Sequence, residues 1–135
     1  MTPETIVAII GAVIAVLGVG FIIVRRLPKK IKRVHFTRKW REIQRMCRDK
    51  SNWQDVVLSA DDLLDEALKK RKKPGKSMGE RLVHTQKEFS NNDAVWQAHK
   101  LANKINQEES FTPNEKQVKD SLIAFRQALR DLGAL

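Results

Sequence analysis

The sequence predicts an all-α protein: an N-terminal transmembrane helix, a basic juxtamembrane helix and a C-terminal antiparallel four-helix bundle. Three observations carry that prediction. Residues 5–24 are an unbroken apolar run, positive charge is concentrated directly after it, and from residue 51 onward apolar side chains recur at the 3.6-residue period behind capping residues. No segment shows the two-residue alternation of a half-buried strand. The chain of 135 residues therefore divides into a short extracytoplasmic end (1–4), a membrane span (5–24), a basic segment (25–50) and a cytoplasmic helical domain (51–135).

The run TIVAIIGAVIAVLGVGFIIV carries no charge, and only Thr5 has a polar side chain. At about 1.5 Å rise per residue it spans roughly 30 Å, the thickness of the hydrocarbon layer. A signal peptide would place positive charge before a shorter apolar core. Here Met1, Thr2, Pro3 and Glu4 precede the run and the basic residues follow it, so the positive-inside rule puts the N-terminus outside and the remainder in the cytoplasm. Ala8, Gly11, Ala15 and Gly18 recur at spacings of three, four and three. Small residues on one face let two such helices approach closely, which makes a homodimer through this face one expectation.

The net charge of +10 comes from 26 Lys and Arg against 16 Asp and Glu, and it is distributed unevenly. Twelve of the basic residues lie between Arg25 and Lys50, opposed there only by Glu42 and Asp49, while 51–135 is nearly balanced. The membrane-proximal group Arg25, Arg26, Lys29, Lys30, Lys32, Arg33, Arg38, Lys39 and Arg41 suits anionic lipid headgroups, where each basic residue contributes on the order of 1 kcal/mol. Nucleic-acid phosphates are the competing partner. Leu27-Pro28 ends the membrane helix. A short helix follows from about Phe36 to Arg48, with Phe36, Trp40, Ile43 and Cys47 on one face. Its aromatic residues suit either interfacial anchoring or base stacking, and the helix either lies along the headgroups or continues into the bundle.

Ser51 followed by Gln54 predicts a capping box for the next helix, whose stripe is Trp53, Val56, Val57, Ala60, Leu63, Leu64, Ala67 and Leu68. Asp55, Asp61, Asp62, Asp65 and Glu66 fall to its outer face. The loop KKRKKPGKS breaks at Pro74-Gly75, and Ser77 with Glu80 caps a helix carrying Met78, Leu82 and Phe89. SNND at 90–93 caps a helix that buries Ala94, Val95, Ala98, Leu101, Ala102 and Ile105. Thr112, Pro113 and Glu115 start the last helix, with Val118, Leu122, Phe125, Leu129 and Leu132 as its stripe and Gly133 past its end.

No hydrolase, P-loop, dinucleotide, zincin or EF-hand motif occurs. Cys47 is the only cysteine, and His35, His84 and His99 are scattered without cysteine partners, so neither a metal nor a cofactor is expected. Adjacent acids such as Asp61-Asp62 and Glu108-Glu109 read as solvated surface charge.

The succession of DVVLSADDLLDEALKKR, GKSMGERL, AHKLANKINQEE and QVKDSLIAFRQALRDLGAL resembles the HEPN superfamily of four-helix domains, joined here to a membrane helix. The resemblance implies a site for metal-independent RNA cleavage, often across a dimer interface. That site is an Arg followed by a polar residue, with a His four to six positions after the Arg. In this chain those positions fall on Ala102, Asn103 and Gln107. Alanine cannot stabilise a phosphorane's charge and glutamine cannot exchange protons as imidazole does, so the resemblance implies a degenerate site and no catalysis.

On a regular helix Trp96, His99, Asn103 and Gln107 lie together beside the apolar stripe. They form either a hydrogen-bonding patch for a ligand or partner, or an edge where Trp96 seals the core and His99 and Asn103 bond internally. The function expected is a membrane-anchored, non-catalytic interaction module with an unidentified protein partner; the alternative is a membrane-localised RNA-binding protein or residual ribonuclease.

Overall fold

A computed structural model describes residues 2–26 and 31–135, apart from the side chains of residues 24–26. The described residues form six α-helices, α1 (Pro3–Arg26), α2 (Arg33–Met46), α3 (Trp53–Lys70), α4 (Met78–Thr85), α5 (Asn92–Gln107) and α6 (Glu115–Asp131), and one 3-10 turn, with no strand among them. The sequence-predicted basic positions Lys29 and Lys30 and the Leu27-Pro28 break lie outside the described residues, as do the side chains of Arg25 and Arg26.

Helix α1 (Pro3–Arg26) begins with a proline whose fixed φ suits a first helical turn. Its segment Pro3–Ile23 has a mean hydropathy of 3.0 and contains no buried residue. Val7, Val16 and Leu17 are all about 70% exposed. Among the described residues, one helix is thus long and apolar enough to cross a membrane. Gly11 and Gly18 have open space where a Cβ would project.

Helix α2 (Arg33–Met46) joins the helical body. Phe36, Trp40 and Ile43 are buried, together with Ile31 just before the helix, and they pack in the same core as the downstream helices, chiefly against α3. Of the two locations open to this helix from sequence, it takes the one inside the protein. Phe36 and Trp40, at 1% and 6% exposure, are therefore not available to anchor at a membrane interface or to stack on bases. His35 Nε2 lies 2.7 Å from Glu66 Oε1 and reinforces the α2–α3 contact.

Helix α3 (Trp53–Lys70) contacts α2, α4, α5 and α6, and so forms the centre of the body. Val56, Val57, Ala60, Leu64, Ala67 and Leu68 are fully buried, and each large side chain among them contributes about 1.5–3 kcal/mol relative to exposure. Its start differs from the capping box read at Ser51. The Asp49 carboxylate accepts from the Ser51 N–H and hydroxyl, winding Lys50–Asn52 into a 3-10 turn, and α3 begins one residue after Asn52. An acceptor two residues upstream has taken Ser51 out of the capping role, and the Gln54 amide donates instead to the carbonyl of Phe111.

Helix α4 (Met78–Thr85) is capped by Ser77, whose hydroxyl accepts from the Glu80 N–H; the Glu80 carboxylate accepts from the Lys76 N–H. Phe89 falls beyond this helix and is buried. Asn91 caps α5 (Asn92–Gln107). The capping box of α6 (Glu115–Asp131) is Asn114 with Gln117, two residues later than the Thr112 start, with Pro113 fully buried ahead of it. After α6, Gly133 takes φ +76, and Arg71 donates to the Leu132 carbonyl from the end of α3.

Candidate functional site

Asp61, Arg81, Thr85 and His99 are buried polar side chains where α3, α4 and α5 meet. His99 on α5 places Nδ1 2.8 Å from Asp61 Oδ1 on α3, and both side chains are about 10% exposed. The Asn103 amide nitrogen lies 3.4 Å from His99 Nε2. Trp96 meets His99 edge-on, with ring centroids 6.1 Å apart, and its indole rests near Gly79 on α4. One turn further along α3, Asp65 receives two hydrogen bonds from Arg81 on α4, at 2.7 and 2.9 Å. Arg81 also donates to the Gly75 carbonyl, and Thr85 donates to the Arg81 carbonyl.

Burial pushes the Asp61 carboxyl above the ordinary carboxylate value, an effect opposed by the hydrogen bond and charge of His99. Hydrogen bonding to Asp65 holds Arg81 even more firmly in its charged form. These are internal pins. Asp61 with His99 joins α3 to α5, and Asp65 with Arg81 joins α3 to α4, each pair satisfying groups that would be costly to bury alone.

Of the four patch residues, Trp96, His99 and Asn103 come together, with His99 facing inward to Asp61 and Asn103 at the surface. Gln107 is exposed one turn beyond Asn103. The positions matched to the HEPN-type site are not presented together, since Ala102 is fully buried while Asn103 and Gln107 are exposed. Asp61, assigned from sequence to the solvated face, is a correction. It lies at helical spacing from Val57, Leu64 and Leu68, and that register carries it into the core. Sequence pattern does not single out Asp65, Arg81 and Thr85 as site residues. Their partners are on other helices, so sequence spacing carries no signal for them.

Two outward features remain. On α2, Val34, Arg38, Arg41 and Arg45 recur at spacings of four, three and four, on the face opposite Phe36, Trp40 and Ile43, and all four are exposed. Val34 is 80% exposed. The second feature is a groove of about 680 Å³ between α5 and α6. Its floor is apolar and mostly small, with Ala94, Ala98, Leu101, Ala124 and Ala128, and its rim carries Lys100, Lys104 and Asp120. No group of three or more metal-ligating side chains occurs among the described residues.

Comparison of the chain with protein-family models, with curated proteins and with solved structures finds no match.

Proposed function

We propose that this protein is a membrane-anchored, non-catalytic helical interaction module, with its N-terminus outside and its helical body in the cytoplasm. In this reading α3 to α6 form an antiparallel four-helix arrangement of HEPN-like pattern, extended by α2. The observation that carries it is the division of labour on α2. The aromatic face is spent on the body's own core, while Arg38, Arg41 and Arg45 are left outward in the segment that follows the apolar helix.

Arginine forks suit phosphate groups, and three of them beside a bilayer supply roughly 3 kcal/mol of attraction to anionic headgroups. The groups with acid–base potential point the other way. His99 is closed against Asp61, and no side chain at Ala102 or Gln107 supplies the charge or proton transfer that RNA cleavage needs. This supports binding over catalysis.

Arginine-directed labelling with phenylglyoxal, read by mass spectrometry on the full chain in lipid nanodiscs, tests the reading. Arg38, Arg41 and Arg45 are expected to be protected in anionic nanodiscs relative to neutral ones, while the exposed Arg126 and Arg130 of α6 react equally in both. Equal reactivity of the α2 arginines in the two lipids would reject the lipid contact.

A further inference from the structure

The basic run KKRKK, residues 69–73, is distant in sequence from the juxtamembrane segment, yet the fold carries it to the start of α2. Arg33 at the beginning of α2 donates to the Leu135 main-chain oxygen at 3.0 Å, and Arg71 just past α3 donates to the Leu132 carbonyl at 2.8 Å. Leu132 and Leu135 are three residues apart, so the chain between them spans at most about 11 Å. His35 Nε2 and Lys39 Nζ both approach Glu66, at 2.7 and 3.9 Å, and Lys70 lies one turn past Glu66 on the same side of α3. The C-terminal residues and Glu66 thus tie the end of α3 to the beginning of α2.

Part of the charge gathered there is already engaged. Lys69 has Asp65 at 3.5 Å, Lys73 pairs with Glu88, and Arg33 and Arg71 hold main-chain oxygens. Lys32, Lys70 and Lys72 are exposed and have no ion pair or side-chain hydrogen bond among the described residues. Lys72 is also the one non-glycine residue among them with a positive φ, +56. The Lys73 N–H reaches back to the Leu68 carbonyl and the Lys72 N–H to the Lys69 carbonyl, a helix-ending turn that ordinarily favours glycine at the left-handed position. Lysine there carries a backbone penalty that glycine avoids, and no polar contact of its side chain within the protein offsets it.

We propose that Lys70 and Lys72, beside Lys32, form a second contact with anionic lipid headgroups, one that sets the α3 end of the body against the bilayer. This rests on the membrane-anchored reading and adds to it which end of the body faces lipid. Arg26 and Ile31 are five residues apart, so the chain that leads into α2 starts within about 18 Å of the end of α1. With α1 across the bilayer, the lysines are held beside the headgroups, where acidic lipid complements their charge. A nucleic acid would meet the same charges, but nothing in the chain brings one to this end, whereas α1 brings a bilayer.

Amine acylation, read by mass spectrometry on the full chain in nanodiscs, tests the proposal. Lys70 and Lys72 are expected to react about fivefold more slowly in phosphatidylglycerol discs than in phosphatidylcholine discs. Lys119, about 18 Å back along α6 from its C-terminal end, should react equally in both. Equal rates for Lys70 and Lys72 in the two lipids would overturn the proposal, as would protection by single-stranded RNA in neutral discs without protection by anionic lipid. Lys72→Gly removes the charge and suits the left-handed turn, so this variant is expected to melt no lower than the wild type and to lose about half of the Lys70 protection. Unchanged Lys70 protection in it would overturn the joint contact. Arginine labelling in the same discs judges the underlying lipid reading separately: protected Arg38, Arg41 and Arg45 beside unprotected Lys70 and Lys72 reject only this second contact, whereas no protection at either set rejects both.

Discussion

Truncating Asp65 to alanine leaves the Arg81 guanidinium in place with its largest partner gone. Arg81 is about 10% exposed and Asp65 about 17%, and the pair is bidentate at 2.7 and 2.9 Å. After the substitution only the Gly75 carbonyl still accepts from that side chain. Removing one member of a buried pair typically costs about 3–5 kcal/mol, because the other charge remains buried without compensation. Partial exposure and the surviving Gly75 contact favour the lower end, about 3 kcal/mol. For a helical body of this size, that lowers the melting temperature by roughly 12–24 °C. The three tryptophans, Trp40, Trp53 and Trp96, all lie in the body and none in α1, so intrinsic fluorescence of the full chain in micelles reports the body alone. The companion variant replaces both partners with leucine, and it should recover most of the loss because no uncompensated charge then remains. A melting temperature within about 3 °C of wild type for Asp65→Ala, less than 1 kcal/mol on the same scale, would show that Arg81 swings into solvent and that the pin between α3 and α4 has no structural role.

Asp61→Asn keeps an oxygen for the His99 N–H but removes the buried charge. The folded pKa of Asp61 is raised by burial, so its contribution is full below the unfolded value and is lost as pH rises through the folded one. The stability of the Asn variant relative to wild type should therefore grow as pH climbs above the ordinary carboxylate range; a pH-independent difference in urea midpoints would contradict this. Asp131 behaves oppositely. Burial would raise its pKa, but hydrogen bonds from Ser90 and Gln127 outweigh that and lower it, so its contribution is present above the unfolded value and fades as pH falls through the folded one. Asp131→Asn should cost about 1 kcal/mol at neutral pH and less in acid, and a cost that grew on acidification would refute the assignment. Ala102→Arg forces a long cation into a fully buried position and should cost at least about 4 kcal/mol; a stable, folded variant would mean that this face of α5 opens more readily than its packing implies.

The helices were legible where local rules act alone. The apolar run of α1, the stripe from Val56 to Leu68 and the Asn91 cap of α5 need only sequence spacing and capping chemistry. Start points shifted where two local acceptors compete, as when Asp49 takes Ser51 into a 3-10 turn and Asn114 with Gln117 caps α6 in place of Thr112. The destination of α2 was legible only as a choice, because Phe36, Trp40 and Ile43 suit a bilayer interface and a protein groove equally well. Asp61 carried a usable signal, since its register coincides with Val57, Leu64 and Leu68, but a charged residue in a mostly acidic outer row hides it. The Arg81–Asp65 pair carried none, because the two residues are joined across a loop whose path no spacing rule specifies. The α5/α6 groove likewise arises from how two helices are set against each other.

The most direct test of the central claim is to incubate the full chain, held in neutral and in anionic nanodiscs, with end-labelled single-stranded RNA at low salt. An interaction module whose outward arginines serve lipid predicts intact RNA in both preparations, with any electrostatic binding in neutral nanodiscs suppressed by anionic lipid. Cleavage of the RNA in either preparation, abolished by His99→Ala, would contradict the account and make the His99 and Asp61 pair an active site.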